Sequence, residues 1–195
     1  GTQARERMTW GADKFSIGYY PEAFEQFQAS NELYPYNPIV HMRLAELHGH
    51  GLAGSRDLAA AAKHYGLAAR YAAPDVPRWA AILLLQKAYV HEEAGDDAAA
   101  YEATGEALKL TRGIGEIVYR HAVEALRTGE TGEGLAALRE AIERHDPLYH
   151  AKVFAEPATG GDGWRSKRTS PTSRPPAFAS ATPAIVVAAP RLTAA

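Results

Sequence analysis

The sequence predicts an all-α fold, an α-α superhelix (solenoid) of about four helix-turn-helix repeats. Apolar residues recur with helical spacing along residues 4–145, and strand signals are nearly absent. Glycine and proline recur at the breaks between these segments, where helices often end or begin. Alanine, the strongest helix former, is the most prominent residue type. Together these observations favour a chain built from helices alone.

The helical segments fall into four pairs. The spacing predicts helices at about 4–17 and 21–34, 38–49 and 57–73, 78–94 and 97–111, and 115–128 and 131–145. Short turns separate the members of each pair: "SIGYYP", "GHGLAGSRD", "EAGDD" and "TGETG". Prolines lie between pairs, at Pro35, Pro38, Pro74, Pro77 and Pro147. Helix, turn, helix and stop, repeated four times, is typical of a helical array.

The second helix of each pair carries a recurrent spacing of small and large residues. In the first pair, Ala23, Phe27 and Ser30 are four and three residues apart, and Pro35 follows. The same spacing recurs at Ala61, Tyr65 and Ala68, at Gly134, Leu138 and Ala141, and in weaker form at Ala100, Thr104 and Ala107. Small residues allow a partner helix to approach closely, and a large one fills the gap between hairpins. We therefore expect Phe27 and Tyr65 to be buried.

These residues carry a resemblance to a known family. The first unit resembles the tetratricopeptide repeat, with Gly11, Gly18, Tyr20, Ala23, Phe27 and Pro35 at motif positions and Ser30 in place of the usual Ala. The second unit resembles the related Sel-like repeat, with Leu44, Gly51, Asp57, Ala61, Tyr65, Ala68 and Ala69 at motif positions. It departs from that motif at Ala45, His48 and Ala53. The resemblance covers about residues 4–147 and is weakest in the third unit.

The resemblance implies a protein-protein interaction module with a concave groove that binds a peptide or helix and is lined by the first helix of each unit. The implied partner-binding positions are Arg5, Phe15, Met42, Glu46, Leu85, Tyr89, Glu92, Tyr119 and Arg127. Met8, Ala12, His50 and Val123 also fall at groove-lining positions. Some members of the family hold a C-terminal carboxylate with a Lys and Asn clamp. The matching positions here are Met8, Ala12, Met42 and Glu46, so this use is not expected.

Two alternatives to a simple interaction module stay open. In the first alternative, the chain, which does not begin with Met, is a regulatory or scaffolding part of a larger enzyme or signalling protein. In the second it is a metal-binding protein or an enzyme that uses His41, His48 and His50, with a carboxylate from Glu46 or Asp57. Because His48 occupies an aromatic packing position of the repeat, we predict neither a metal site nor a cofactor.

No pattern in the sequence predicts catalysis. The acidic run "HEEAGDD" at residues 91–97 joins two predicted helices, which favours capping by Asp96 or Asp97 over a paired-carboxylate site. No Ser or His stands in a nucleophile motif. We therefore expect a protein that is not an enzyme and has no catalytic residues.

Composition divides the chain into a repeat domain at residues 1–156 and a tail at residues 157–195. Half of the 12 prolines lie in the tail, together with five basic residues against Asp162 alone, a net charge of +4. Because the whole chain carries −2, residues 1–156 carry −6. The Pro-, Ser-, Thr- and Ala-rich tail is predicted to be disordered, with "RPP" and "PAIVVAAP" as possible docking elements. An artefactual origin of the tail is also open.

The same observations bound the partners. An acidic body does not indicate nucleic-acid binding, and the longest apolar run is too short to span a bilayer. The chain has no cysteine, which suits a reducing compartment, so a cytoplasmic protein is expected. It is expected to be a monomer or a weak dimer. Residues 146–157 are predicted to form a short helix that covers the last hairpin through Leu148 and at least one of Val153 and Phe154. The rival interpretation is a fifth repeat that is cut short and exposes this face.

Overall fold

The computed structural model describes residues 1–145 of the 195-residue chain. The predicted terminal helix at 146–157 and the predicted tail at 157–195 lie outside the described residues, and both remain predictions. No helix in the described part is both long and apolar enough to cross a membrane.

Residues 1–145 fold into helices connected by short turns, with no strand among them. The helices are α1 (Thr2–Ser16), α2 (Tyr20–Leu33), α3 (Pro38–His50), α4 (Leu58–Ala72), α5 (Pro77–Ala94), α6 (Asp97–Leu110), α7 (Gly115–Thr128) and α8 (Thr131–Arg144). Each observed boundary lies within two residues of the predicted one. The all-α fold class and the four predicted helix pairs are therefore confirmed.

Side-chain capping explains where three of the helices in residues 1–145, α3, α4 and α6, begin. The side-chain oxygen of Asn37 accepts hydrogen bonds from the amides of Ile39 and Val40 and caps α3. Asp57 caps α4 and Asp96 caps α6 in the same way, through the amides of Ala60 and Ala99. The expectation that the acidic run at residues 91–97 serves as a helix cap is confirmed for Asp96.

Glycine ends three of the first helices of the hairpins. Gly51, Gly95 and Gly129 follow α3, α5 and α7 with φ values of 65°, 80° and 94°. This left-handed conformation is favourable for glycine and costly for residues with a Cβ. Each of these glycines therefore allows the chain to turn back into the second helix of its hairpin.

The most extensive helix contacts join neighbours in sequence, both within hairpins and between one hairpin and the next. The predicted spacing in the second helices provides much of this packing. Phe27 is fully buried and Tyr65 is 3% exposed, as predicted. In the third hairpin, Ala100, Thr104 and Ala107 are also fully buried. The weaker motif there still supplies a core, and the architecture is an all-α array of four helical hairpins.

Polar residues at these packing positions bond to neighbouring groups. The Ser30 hydroxyl, on α2, donates a buried 2.8 Å hydrogen bond to the carbonyl of Ala4 on α1. Thr104 donates to the carbonyl of Tyr101 and lies 3.0 Å from Nδ1 of His121 on α7. A buried hydroxyl without such a partner would destabilise the fold. These bonds explain how Ser30 is accommodated at a small-residue position and Thr104 at the position that Phe27 and Tyr65 occupy in the first two hairpins.

Candidate partner-binding surface

Among the first helices of the hairpins, α1 contacts α3 and α5 contacts α7 through side chains that bypass the intervening second helices. The guanidinium of Arg43 on α3 lies 4.8 Å from the ring centre of Phe15 on α1. At the other end of the array, the Tyr89 hydroxyl on α5 donates to a carboxylate oxygen of Glu116 on α7, at 3.0 Å. We call the surface formed by these four helices the first-helix face.

The part of this face on α1 and α3 is partly apolar. Phe15 is half-buried and meets the ring of Tyr20 edge to face, with 5.3 Å between centroids. Met8 and Met42 are also half-buried, so both offer thioether surface that adapts to different shapes. Arg43 covers Phe15 and pairs with Glu46 at 2.7 Å. This end of the face therefore offers accessible apolar surface beside a charged pair.

The part on α5 and α7 is a network of ion pairs. Arg127 on α7 lies 3.1 Å from Glu92 on α5 and 2.8 Å from Glu124. Arg120 pairs with Glu116 at 3.1 Å and with Glu92 at 3.7 Å. Because both arginines reach Glu92 from the neighbouring hairpin, the network holds α5 and α7 at a fixed spacing.

Arg120 also connects this network to two aromatic rings. Its guanidinium lies 5.2 Å from the ring centre of Tyr89 and 5.8 Å from that of Tyr119. Burial raises the pKa of Tyr89 well above its ordinary value. The pKa of Arg120 is raised as well: burial lowers it, but the surrounding Tyr89, Glu92 and Glu116 more than compensate. Arg120 is therefore a permanent cation stacked between tyrosines.

Glu124 is the most deeply buried carboxylate of the network. It is 2% exposed, and its Oε2 atom is buried without a hydrogen-bond partner. Burial raises the pKa of Glu124 to about 7, opposed by Arg127 and reinforced by Glu92 and Asp97. The charge of this part of the face therefore changes near neutral pH.

The structure brings together some of the positions implied by the repeat resemblance and separates others. Tyr89, Glu92, Tyr119 and Arg127 lie in one network through Arg120. The remaining positions are placed as follows: Leu85 buried; Phe15, Met42 and Glu46 half-buried; and Arg5 exposed. Tyr119 is only 1% exposed and Leu85 only 6%, so these two support the face from below.

Three members of the network, Glu116, Arg120 and Glu124, were not among the positions that the resemblance implied. With Arg127 they are spaced by four, four and three residues along α7 and alternate in sign. That spacing places the four on one helical face. The alternation of charge was a readable signal for an ion-pair face. The sequence does not indicate that Glu92 on α5 is the partner of this face, because that contact depends on how the hairpins pack.

The histidines of the metal-binding alternative are divided between two places. Nδ1 of His41 lies 2.9 Å from Nδ1 of His64 on α4, and the ring of His48 stacks on that of His64 at 5.7 Å. His50 is exposed and lies near Glu46, Arg56 and Glu93. Within residues 1–145, no group of three or more His, Asp or Glu side chains is arranged to hold a metal.

The buried histidine pair has a defined hydrogen-bond pattern. Nε2 of His41 lies 2.9 Å from the carbonyl oxygen of Pro35, which can only accept, so Nε2 carries a proton. In the neutral pair, Nδ1 of His41 then accepts from Nδ1–H of His64. Burial, with the charges of His41 and His48, lowers the pKa of His64 to about 4. The pair therefore links α3 to α4 in its neutral form.

The chain resembles solved structures in fold, but it matches no protein-family model and no curated protein in sequence. Solved structures that it resembles include TTC0263, described as a thermophilic TPR protein of Thermus thermophilus. That pair shows 19% identity and a TM-score of 0.36, covering 78% of this chain and 97% of the other. MamA protein is similar at 15% identity and a TM-score of 0.37, covering 78% and 96%. Likeness at this level says nothing about a partner. The hairpin array is assigned from the chain's own helices.

Proposed function

We propose that this chain is a non-enzymatic protein-interaction module, a tetratricopeptide-type array with a Sel-like second repeat. It holds a peptide or helix of a protein partner against the first-helix face. The observation that carries the proposal is the direct contact of first helices in two pairs, α1 with α3 and α5 with α7. Side chains from successive hairpins meet at Phe15 and Arg43 and again at Glu92 and Arg127. A segment lying across the helices would meet several repeats at once.

The chemistry of the face suits a segment with apolar and charged side chains. Half-buried Phe15 and Met42 provide contact area for apolar anchors. Arg43 and Glu46, and Arg120 with its carboxylates, offer donors and acceptors whose positions are already fixed by their mutual bonds. A preorganised polar frame lowers the entropy that must be lost on binding. Affinity would come from the anchors, and orientation from the charges.

Site-directed photo-crosslinking tests this function in the full chain. A photoreactive phenylalanine analogue replaces Met42 or Val123 on the first-helix face, or Leu135 on α8 as a matched control. Leu135 is an apolar side chain that is 56% exposed on a second helix. We expect both first-helix positions to capture the same protein from a native extract and the Leu135 position not to capture it. Capture of that protein at all three positions, or at Leu135 alone, would contradict the proposal.

A further inference from the structure

A second surface lies where α4 and α6 both pack on α5. The three helices line an open groove of about 790 Å³. Its floor includes Ala62 and Ala69 of α4 and Leu84 of α5, all buried among the helices. The groove is open because the α4 side chains facing it are small. A Cβ at Gly66 would meet only the Lys87 side chain, no closer than 3.7 Å.

The rim of this groove is strongly basic. Lys63 and Arg70 of α4, Lys87 of α5 and Lys109 of α6 line it, against the single carboxylate of Glu106. Glu106 is paired with Lys87 at 3.7 Å. Within residues 1–145, no ion pair involves Lys63, Arg70 or Lys109, and all three are exposed. A cationic rim around an apolar floor is unexpected on a chain whose net charge is −2.

We propose that this groove, which we call the α4–α6 groove, binds an acidic amphipathic helix of a partner protein. Its small floor residues let a helix approach closely, and its cations pair with acidic side chains on the flanks of that helix. The lining residues on α4 and its C-cap run from Ala59 to Ala73, a length of about 21 Å at 1.5 Å per residue. A partner helix of about 14 residues matches that length.

The distribution of charge selects this occupant over others. Lys63 and Arg70 are two helical turns apart on α4, and Lys109 lies on the opposite wall. Cations spread along both walls suit a ligand with several acidic groups, whereas an anionic amphiphile has one charged end. The chain's own residues 157–195 carry a net charge of +4 and would be repelled.

The probe is a labelled, N-acetylated 14-residue peptide with a leucine stripe at helical spacing and glutamates on both flanks. A matched peptide carries lysines in place of the glutamates. Fluorescence anisotropy with the full chain should show the glutamate peptide binding at least about tenfold more tightly than the lysine peptide. The preference should shrink at high salt. Equal binding of the two peptides would overturn the proposal.

Two variants test whether the peptide binds in the groove. Arg70→Glu should weaken binding of the glutamate peptide at least about fivefold. Arg139→Glu, the same change at an exposed position of α8, should leave it unchanged. Gly66→Phe fills the groove and should also weaken binding, with circular dichroism used to verify that the helices are retained.

Several outcomes would overturn the proposal. Retained affinity in both Arg70→Glu and Gly66→Phe would place the peptide elsewhere. Displacement of the peptide by dodecanoate at lower concentration than by unlabelled peptide would favour a single-headed amphiphile. Self-association of the free chain that Arg70→Glu abolishes would assign the groove to a second copy. The groove and the first-helix face use different residues of α5, and Met42 lies on α3, so crosslinking at Met42 tests the other surface independently.

Discussion

The Nδ1 atoms of His41 and His64 lie 2.9 Å apart across the contact between α3 and α4. Since Nε2 of His41 donates to Pro35, the pair can share one added proton but not two. With both rings charged, two N–H groups would face each other at this distance. The pair therefore holds the two helices of the second hairpin together only while at most one of the two rings is charged.

We predict that this pair makes the fold acid-sensitive. The folded-state pKa of His64, about 4, lies below its ordinary value of 6.5. Between these two values the unfolded chain binds more protons, so stability is present above pH 6.5 and is lost as the pH falls toward 4. In thermal melts followed by circular dichroism, the melting temperature of His64→Gln should fall less over this interval than that of the native chain.

His145→Gln is the matched control for the acid effect, because His145 lies at the end of α8 and outside this cluster. Its melting temperature should follow the native pH profile. If His64→Gln and the native chain lost melting temperature equally between pH 6.5 and 4, the histidine pair would not be the cause of acid sensitivity.

A second prediction concerns the contact between Gly11 and Phe27. A Cβ at Gly11 would lie 2.8 Å from two ring atoms of Phe27, which is fully buried and cannot move away. Alanine favours helix over glycine by about 1 kcal/mol, but the clash should outweigh this gain. Gly11→Ala should therefore destabilise by about 1–3 kcal/mol, measured by urea denaturation. Phe27→Ala should cost about 3–5 kcal/mol.

The control for Gly11→Ala is Gly132→Ala in α8, where a Cβ would meet nothing within 4 Å. This substitution should be neutral or stabilise by up to about 1 kcal/mol. In a double-mutant cycle, Gly11→Ala combined with Phe27→Leu should cost less than the two single changes added together. Strict additivity would show that the two residues do not compete for the same space.

A third prediction concerns the start of α3. Asn37→Ala removes the oxygen that accepts from Ile39 and Val40 and should cost about 1 kcal/mol. Asp75→Ala, at an exposed turn position that caps no helix, should change stability by no more than about 0.5 kcal/mol. Urea midpoints of the two variants compare them directly. Equal losses would mean that the Asn37 cap adds nothing to the fold.

The fold was predictable because it depends on local signals. Helix starts follow from capping residues such as Asn37 and Asp96, and the ends of α3 and α5 follow from Gly51 and Gly95. Each of these acts over a few residues, so the sequence contains the whole cause. The burial of Phe27 and Tyr65 was predictable too, since spacing along one helix determines which side chains share a face.

The surfaces were less predictable because they depend on distances between hairpins. The alternating charges of α7 indicate an ion-pair face, but nothing local indicates that Arg127 reaches Glu92 on α5. The burial of Leu85 and Tyr119 likewise depends on how closely neighbouring first helices pack. The α4–α6 groove was not predictable from the sequence for a related reason. Its cations come from three helices that only the packing brings together.

The last prediction concerns Arg127 and Glu124, whose side chains are 10% and 2% exposed and 2.8 Å apart. The raised pKa of Glu124, about 7 against an ordinary 4.5, means that the folded chain binds more protons between these values. Its contribution to stability is therefore fully present below pH 4.5 and is lost as the pH rises through 7. Arg127→Met leaves the buried carboxylate without its nearest cation. At pH 8 this should cost about 3–5 kcal/mol of unfolding free energy. At pH 5, where Glu124 takes up a proton, the cost should be smaller.

Glu124→Gln is the matched control: in that background Arg127→Met should cost nearly the same at both pH values. A pH-independent cost in the chain that retains Glu124 would show that Arg127 acts through Glu92 instead.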